Sequence, residues 1–416
     1  MQNSSTNGAL ESTAAAWDSR MDVALEFAAV TRIIESAGAD CSIVLPDRTQ
    51  SSYGLGEPRF TVEFHSVRAL RRGFDQLALG TAYINGEIDV EGDMMALMEL
   101  RDHLPSGSAP LHLLKFAWDL VVAAPAGVNK RAIDAHYTLG DDFYHMFLDK
   151  RFRFYSQCLF QRDDETLEEA AEHKLETMWN ELGLRAGMSL LDIGGGWGGV
   201  ARYCAPRGVH VTTITLAEDS ATYMRKTFAE EGIDAQVVHA DLLHFRPEVH
   251  FDHAVMYGVI EHLPNYRRFS QRAWELLAPG GRLYLDGSAT KEKFAMTAFT
   301  RKYIWPGHHT FMSLPDITRE LLWHGFEFVD AKQETRDYEL TMLHWAQRFD
   351  EARGEIISRW GEAVYRTFRL YLWAGAHAFR TDRLQAYHLT VQKRSDPGPR
   401  PGGLRRAASA AIALLS

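Results

Sequence analysis

The segment 189–199 limits what this chain can fold into more than any other part of the sequence. It reads SLLDIGGGWGG, an apolar run that ends on Asp192-Ile193 and passes straight into glycines. Glycine has no Cβ, so a turn made of glycines lets the backbone approach a bound ligand closely. The pattern therefore predicts a buried strand, a tight turn and a helix, with a ligand bound at the turn.

Apolar runs of strand length alternate with helical stretches through the rest of this region. After the first run they lie at 210–213, 235–239, 253–257, 281–286, 326–332 and 389–393. Such alternation predicts an α/β fold with a mostly parallel, doubly wound sheet. In open sheets of this kind, ligands bind at the carboxyl ends of the strands.

Two carboxylates indicate which ligand the turn binds. Asp192 stands before the glycines, where it can hold an ammonium group and would repel a pyrophosphate. Asp241 ends the third apolar run, where it can accept a hydrogen bond from an adenine amine. After the second run, by contrast, no acidic residue follows until Glu218. This order favours S-adenosylmethionine as the cofactor, and a nicotinamide cofactor is the weaker alternative.

Charge and cysteine content exclude several other classes. The formal net charge is −10, and nucleic-acid binding needs a concentrated basic face, so no nucleic-acid partner is expected. The three cysteines are widely spaced without a C-x-x-C pair, which predicts a reducing compartment, no disulfides and no metal site. The sequence has no apolar run long enough for a membrane span and no signal-peptide pattern, so neither is expected.

Four further segments flank the predicted α/β domain, which spans 136–394. Residues 1–20 are typical of a mobile tail, and 21–104 of a small α+β domain with short alternating strands. Residues 105–135 form a connector with an apolar helix, which either packs between domains or touches lipid. The proline- and glycine-rich segment 395–416 is typical of a flexible tail, with a weak membrane anchor as the alternative.

Several stretches of the chain together resemble one known family. They lie at 136–144, 155–156, 191–199, 215–216, 261–262, 302–307, 337–345 and 371–380. They make the chain similar to the cyclopropane-fatty-acyl-phospholipid synthase and mycolic acid cyclopropane synthase family of S-adenosylmethionine-dependent methyltransferases. Residues 79–93 also resemble the N-terminal domain of members that act on phospholipids. The resemblance implies a Rossmann-like class I methyltransferase fold with a seven-stranded sheet, and a small α+β lipid-binding-like domain.

The resemblance also implies a reaction. The family methylates a double bond in an acyl chain, usually within a membrane phospholipid. The alkene attacks the methyl group and becomes a carbocation, so water must be excluded by an apolar, aromatic-rich pocket. A base then removes a proton, and in the family this base is a bicarbonate ion held by a Cys, a Glu, a His and a Tyr. Aromatic residues that could line the pocket are Phe143, Tyr144, Phe160, Trp305, Phe311 and Tyr338.

Carried onto this sequence, the resemblance assigns a set of contacts and a cellular place. The residues it places at the cofactor are Tyr137, Tyr155, Ser156, Asp192, Gly194, Gly196, Thr215, Leu216 and Asp241. The implied partner is a phospholipid with an unsaturated acyl chain, and a homodimer is left open. The protein is accordingly expected in the cytoplasm, peripheral at the inner face of the membrane.

The bicarbonate cradle matches the family only in part. Glu261 and Tyr338 stand where the family has its Glu and Tyr. Gln157 stands in the place of the Cys, with Cys158 one residue late, and Asp286 replaces the His. The family also has a Cys inside the glycine turn, at the position of Gly195.

These departures change the expected chemistry at the catalytic candidates Glu261, Tyr338, Asp286 and Gln157. Asp286 would add a second negative charge near Glu261, which disfavours a bound anion and raises one carboxyl pKa. The hypothesis is that bicarbonate is absent and that Asp286 or Glu261 takes the proton itself, giving a ring, a methyl branch or a methylene group. The alternative is that Gln157 and Asp286 still hold an anion through neutral hydrogen bonds.

Three alternatives to this interpretation stay open. The chain could methylate a soluble small molecule with the same fold, or bind S-adenosylmethionine or lipid without catalysis. Glu261 could simply begin a helix, where the dipole favours a carboxylate. The adjacent pair His308-His309 is expected in an exposed loop rather than at a metal ion.

Overall fold

A computed structural model describes residues 27–28, 30–66, 68–69, 75–104, 139–263, 265–291, 296–305 and 309–395. Tyr137, the predicted connector 105–135 and both predicted tails therefore lie wholly or almost wholly outside the described residues. The chain divides into two compact units. The described part of the first unit comes from residues up to 104, from 297–304 and from 350–377. The second comes from 139–296, 305–349 and 378–395.

The first unit is built on a four-stranded sheet with the order β2-β1-β3-β4. Its strands are β1 Cys41–Val44, β2 Gln50–Tyr53, β3 Phe60–Phe64 and β4 Ile88–Gly92. Strand β1 runs parallel to β3, and the other two pairs are antiparallel. In β3, buried and half-buried residues alternate, which is the two-residue period expected of a strand with one face on a core.

Two helices of this unit begin at aspartate caps, and three more come from later in the chain. Asp75 accepts hydrogen bonds from the first backbone N–H groups of α1, and Asp93 does the same for α2. In the later segments, Arg366 donates to the carbonyl oxygens of Tyr83 and Ile88 at 3.0 and 2.9 Å. The segments 297–304 and 350–377 lie within the range that the sequence assigns to the methyltransferase domain. Residues 30–37 are helical. The helices that follow residue 75 in the described chain are α1 Gln76–Ile84, α2 Met94–Arg101, α3 Asp141–His145, α4 Leu167–Leu182, α5 Gly199–Cys204, α6 Glu218–Glu231, α7 Tyr266–Leu276, α8 Ala298–Tyr303, α9 Leu314–Trp323, α10 Thr335–Glu351, α11 Arg353–Trp360 and α12 Glu362–Arg380.

The second unit contains a seven-stranded sheet with the order β10-β11-β9-β8-β5-β6-β7. Strands β5 to β9 pair in parallel, while β11 is antiparallel to both neighbours. This confirms the predicted α/β class and its mostly parallel, doubly wound, seven-stranded sheet. The strands are β5 Ser189–Ile193, β6 His210–Thr215, β7 Ala235–His239, β8 Phe251–Met256, β9 Leu277–Ala289, β10 Phe326–Gln333 and β11 Gln385–Lys393.

Local sequence explains why the central elements begin and end where they do. Strand β5 is buried on both faces, which is why its sequence is a continuous apolar run rather than an alternating one. Helix α4 begins at a capping box made by Thr166 and Glu169 and ends at Gly183 in the left-handed conformation. Among the helices that the structure describes, none is long and apolar enough to cross a membrane.

Candidate active site

A cavity of about 690 Å³ opens at the carboxyl edge of the second unit's sheet. It is lined by the ends of strands β5 and β6, the loops after β7 and β8, and the segment 152–156. Eight of the nine residues predicted at the cofactor line it: Tyr155, Ser156, Asp192, Gly194, Gly196, Thr215, Leu216 and Asp241. The ninth, Tyr137, lies outside the described residues.

The glycine turn needs its glycines for two different reasons. Gly194 and Gly196 have φ angles of +81° and +55°, a region that residues with a Cβ rarely adopt. At Gly195 the reason is steric, because a Cβ there would lie 1.9 Å from Cγ2 of Thr213 and no side chain fits. The Thr213 side chain thus fills the space that the family's Cys would need, which explains this departure from the family pattern.

Asp192 is a buried carboxylate at the wall of the cavity. It is 2% exposed and accepts a hydrogen bond from Oγ1 of Thr213 at 3.0 Å. Burial raises the pKa of Asp192 to about 7, because desolvation disfavours the charged form and one hydroxyl compensates only in part. A bound ammonium group would favour the ionised form, so the site fits the methionine end of S-adenosylmethionine.

Asp241 lies at the cavity wall after β7 and also holds its own loop. Its Oδ1 accepts a hydrogen bond from the backbone N–H of Leu243 at 2.8 Å. Its Oδ2 lies 3.5 Å from Nδ1 of His244. The hydrogen bond from Leu243 holds the carboxylate near the end of β7, two strands away from Asp192 on β5. The sequence predicts the adenine at this end of the cavity.

Glu261 lies on the 3₁₀ turn Ile260–His262, which follows strand β8. It is 3% exposed, and its Oε1 accepts hydrogen bonds from both the backbone N–H and Oγ of Ser288, each at 2.8 Å. Its Oε2 has no hydrogen-bond partner within the part of the chain that the structure describes. Burial raises the pKa of Glu261 to about 7. A buried carboxylate with one uncommitted oxygen suits a general base. Glu261 also lies in the first turn of this short helix, so the helix-start alternative stays open.

Asp286 forms a buried ion pair that the sequence analysis missed. Nζ of Lys174 donates to Oδ2 of Asp286, to Oγ of Ser156 and to the carbonyl oxygen of Gln157, each at 2.7 Å. Both charged side chains are 1% exposed. The backbone N–H of Gly258 donates to the second oxygen of Asp286 at 2.7 Å.

This pair adds a partner that the sequence did not predict. Asp286 was expected to place a second negative charge near Glu261 and to raise a carboxyl pKa, and its charge does contribute to the raised pKa of Glu261. Lys174 pairs with that charge. Burial raises the pKa of Asp286, and the charge of Lys174 acts against that rise. Because both of its oxygens already accept hydrogen bonds, the geometry favours a positioning function for Asp286, and its function as a base stays a prediction.

Gln157 is held by a second buried chain of polar groups. Its Nε2 donates to one oxygen of Glu334 at 2.8 Å, and the other Glu334 oxygen accepts from Nδ1 of His388. Nε2 of His388 donates to Glu181 at 3.1 Å. Burial opposes a charge on this imidazole, but the two carboxylates outweigh it and raise the pKa of His388 to about 9. The orientation of the Gln157 amide is thereby fixed, with an Oε1 that has no partner among the described residues.

Tyr338 lies one helical turn beyond Glu334, in α10. Its backbone N–H donates to the Glu334 carbonyl oxygen at 3.0 Å, and its ring stacks on Phe379 with centroids 4.3 Å apart. Of the four predicted catalytic residues, Gln157 and Asp286 are thus joined through Lys174. Glu261 is connected to Asp286 less directly. It accepts a hydrogen bond from Ser288, which lies two residues from Asp286 on the same face of β9.

Aromatic side chains surround these polar groups. Phe143 and Tyr144 are fully buried, and Tyr144 packs against Tyr155 and Trp197. His262, which follows Glu261 in the chain, contacts Trp305, which stacks on His309 with centroids 4.8 Å apart. The expectation that His309 lies in an exposed loop is wrong, because this stacking buries it. His308 lies outside the described residues.

One group among the described residues has the spacing of metal ligands, namely Glu181, Asp330 and His388. Nζ of Lys332 lies between its two carboxylates, 2.9 Å from Glu181 and 3.1 Å from Asp330. A lysine ammonium therefore already supplies the positive charge at this group.

Two family models match separate ranges of this chain. A family model described as mycolic acid cyclopropane synthetase matches residues 127–389. A second model, described as a domain of unknown function, matches residues 30–102.

Three relatives illustrate the match. A probable fatty acid methyltransferase of Pseudomonas putida is 28% identical, over 76% of this chain and 82% of that protein. The cyclopropane-fatty-acyl-phospholipid synthase of Escherichia coli is 31% identical, over 80% of this chain and 87% of that protein. The crystal structure of mycolic acid cyclopropane synthase CmaA1 complexed with SAH and CTAB superposes with a TM-score of 0.59 at 28% identity, covering 64% of this chain and 98% of that one.

Proposed function

The chain belongs to the mycolic acid cyclopropane synthetase family, and we propose that it methylates a double bond in the unsaturated acyl chain of a membrane phospholipid. It is an S-adenosylmethionine-dependent methyltransferase, and members of its family modify lipid chains. The observation that carries the proposal is Glu261, a buried carboxylate with one uncommitted oxygen, which directly precedes His262 on the wall of the cofactor cavity. A base in this position suits a reaction in which the methylated chain must lose a proton.

The cofactor, when bound, supplies an electrophilic methyl group. Asp192 would hold its ammonium group, and Asp241 its adenine amine. Gly194 and Gly196 would allow the backbone to approach it closely, and Tyr155 and Ser156, which line the same cavity, would contact it. These assignments rest on the positions of the residues around one cavity.

Glu261 then completes the reaction on the acyl chain. The alkene electron pair forms the new carbon–carbon bond with the methyl group, which leaves a carbocation on the neighbouring carbon. Oε2 of Glu261 accepts a proton from this cation, so the acyl chain gains one CH₂ unit overall. The two hydrogen bonds from Ser288 fix the carboxylate by its other oxygen, and burial keeps its pKa near neutrality. A base with a pKa near the working pH transfers protons most efficiently.

Gln157 and Asp286 support the direct use of Glu261 rather than of a bound anion. Asp286 is committed to Lys174 and the backbone of Gly258, and the Gln157 amide group donates to Glu334. The atom of the Gln157 amide that has no partner among the described residues is its carbonyl oxygen, Oε1. The partial negative charge of this oxygen repels an anion and stabilises a nearby cation. We propose on this ground that bicarbonate is not required.

The aromatic surroundings suit the same reaction. Carbocations react with water, which the buried rings of Tyr144 and Trp305, and the ring of Tyr155 on the cavity wall, would help to exclude. We also propose that residues 21–104 form a lipid-binding domain and residues 136–394 the methyltransferase domain. The protein would then work in the cytoplasm, peripheral at the inner face of the membrane.

The test compares three variants in which a buried carboxyl group becomes an amide. Purified protein is incubated with S-adenosylmethionine and vesicles of monounsaturated phosphatidylglycerol, and the acyl chains are analysed by mass spectrometry. Glu261→Gln should reduce turnover by at least about 100-fold, the contribution of a positioned general base, with unchanged cofactor affinity. Asp286→Asn should retain measurable activity, and Glu165→Gln, a buried control away from the cavity, should retain full activity. Full activity of Glu261→Gln would contradict the proposal, as would methylation of soluble acceptors only.

A further inference from the structure

We infer that Arg153 binds the carboxylate of the methionine part of S-adenosylmethionine, so that Arg153 and Asp192 together recognise both charges of the amino acid. The inference rests on one part of the proposed function, namely that the cavity binds S-adenosylmethionine, and it adds a further contact to that binding site. It does not depend on the acyl acceptor.

Arg153 lies on the wall of the cofactor cavity in an unusual backbone conformation. It stands between Phe152 and Phe154, whose side chains are buried, and it lines the cavity together with Tyr155 and Ser156. Its φ angle is +61°, the left-handed region that residues with a Cβ rarely adopt and that costs about 1 kcal/mol or more. Strain of this kind persists where the surrounding structure holds it, and it is concentrated at ligand sites.

The guanidinium group of Arg153 has no ion pair within the described chain, unlike the arginines around it. Arg151 pairs with Glu172 at 2.6 Å, and Arg202 pairs with Glu231 at 2.6 Å. Arg153 is half-buried, and a cation withdrawn from water needs a compensating anion.

The charged groups that face Arg153 do not supply this anion. Burial and the charge of Arg202 lower the pKa of Arg153, and Glu231, Asp149 and Asp141 offset this only in part. Each of these three carboxylates already has other partners. Glu231 accepts from Arg202, Asp149 from the backbone N–H groups of residues 151, 152 and 154, and Asp141 from Nε1 of Trp197 at 2.7 Å.

The neighbours of Arg153 place it at the end of the cavity where the glycine turn lies. Its guanidinium carbon lies 5.7 Å from the ring centroid of Tyr223. Tyr223 contacts His145, and His145 contacts Trp197, which directly follows Gly196. The ammonium and carboxylate groups of the methionine part share one carbon atom. A ligand whose ammonium group is held near Asp192 therefore brings its carboxylate to this end of the cavity.

The test measures binding by calorimetry on the full chain, with S-adenosylmethionine and with decarboxylated S-adenosylmethionine, which keeps the amine. Arg153→Gln should weaken binding of the first ligand by about 10- to 100-fold, the value of a charged hydrogen bond, and leave the second unchanged. Arg153→Gly, which suits the positive φ angle, should give the same result and so separates the charge from the backbone. Arg151→Gln, the ion-paired neighbour, is the matched control and should change neither affinity.

Two results would overturn the inference. One is an equal loss of affinity for both ligands, which would make Arg153 a structural residue. The other is unchanged affinity for S-adenosylmethionine, whether or not binding to phosphatidylglycerol vesicles falls, since a fall there would assign Arg153 to a lipid phosphate. No acyl chain takes part in the binding measurement, so a wrong acyl acceptor in the proposed function leaves its result unaffected.

Discussion

Replacing Lys174 by methionine tests the buried ion pair between Lys174 and Asp286, which holds the Asp286 carboxylate in place. Methionine keeps a long, unbranched side chain but removes the ammonium group. Three hydrogen bonds of 2.7 Å are lost, and Asp286 is left as an uncompensated charge that is 1% exposed. Removing one partner of a buried pair typically costs about 3–5 kcal/mol, most of it the penalty for the remaining charge.

A second substitution, at Asp286, shows whether the loss of stability comes from the ion pair itself. Asp286→Asn removes the charge but keeps an oxygen that can accept from the N–H of Gly258. The double variant Lys174→Met/Asp286→Asn should therefore be more stable than the sum of the single losses by about 1–3 kcal/mol. Because burial raises the pKa of Asp286 and loss of Lys174 raises it further, protonation should relieve the single Lys174→Met variant. Its deficit should be smaller near pH 5 than near pH 8.

Urea unfolding followed by tryptophan fluorescence measures all four proteins of this cycle at both pH values. Strictly additive losses would refute the buried pair, as would a loss below about 1 kcal/mol for Lys174→Met. Activity of the double variant adds an independent readout. If Asp286 only positions its neighbours, the double variant methylates lipid detectably, whereas a catalytic base at Asp286 would leave it inactive.

Three further predictions concern single groups of the site. Because Asp192 has a pKa of about 7 and must be ionised to hold an ammonium group, affinity for S-adenosylmethionine should fall by up to about tenfold per pH unit below pH 7, and Asp192→Asn should abolish this dependence in calorimetry. Gly195→Cys should destabilise the protein by about 1–3 kcal/mol through overlap with Cγ2 of Thr213, and Thr213→Ser in the same chain, which keeps the hydroxyl bonded to Asp192, should recover most of that loss in thermal unfolding. The pKa of His388 rises on folding to about 9, so its stabilisation is complete below about pH 6.5 and is lost as pH rises through 9; His388→Gln should cost about 2–3 kcal/mol at pH 6 and little at pH 10.

The parts of this protein that the sequence predicted correctly depend on residues close together in the chain. Strand β5, its glycine turn and the following helix occupy one short segment, and periodicity there directly reflects burial. The cofactor residues at the ends of neighbouring strands meet because parallel strands end at one edge of the sheet. A pattern in the sequence is sufficient for such sites.

The parts that the sequence did not predict depend on pairing between distant residues. Lys174 and Asp286 are 112 residues apart, and Gln157 and Glu334 are 177 apart. The available signal was a charge in an apolar setting, such as Lys174 on the buried face of α4. That signal shows that a partner must exist, but it does not show which one. For the same reason, the sequence assigned 350–377 to the methyltransferase domain and did not predict that this segment belongs to the first unit.

The central claim is that this chain methylates the double bond of a phospholipid acyl chain with Glu261 as the base. The most direct measurement expresses the protein in a host without its own cyclopropane synthase, supplies methionine with a trideuterated methyl group, and analyses phospholipid acyl chains by mass spectrometry. The account predicts monounsaturated chains that gain one carbon, with two deuterium atoms in a ring or methylene product or three in a methyl branch, and no such product from Glu261→Gln. Unchanged phospholipids with the label on a soluble molecule, or an equal yield from Glu261→Gln, would contradict it.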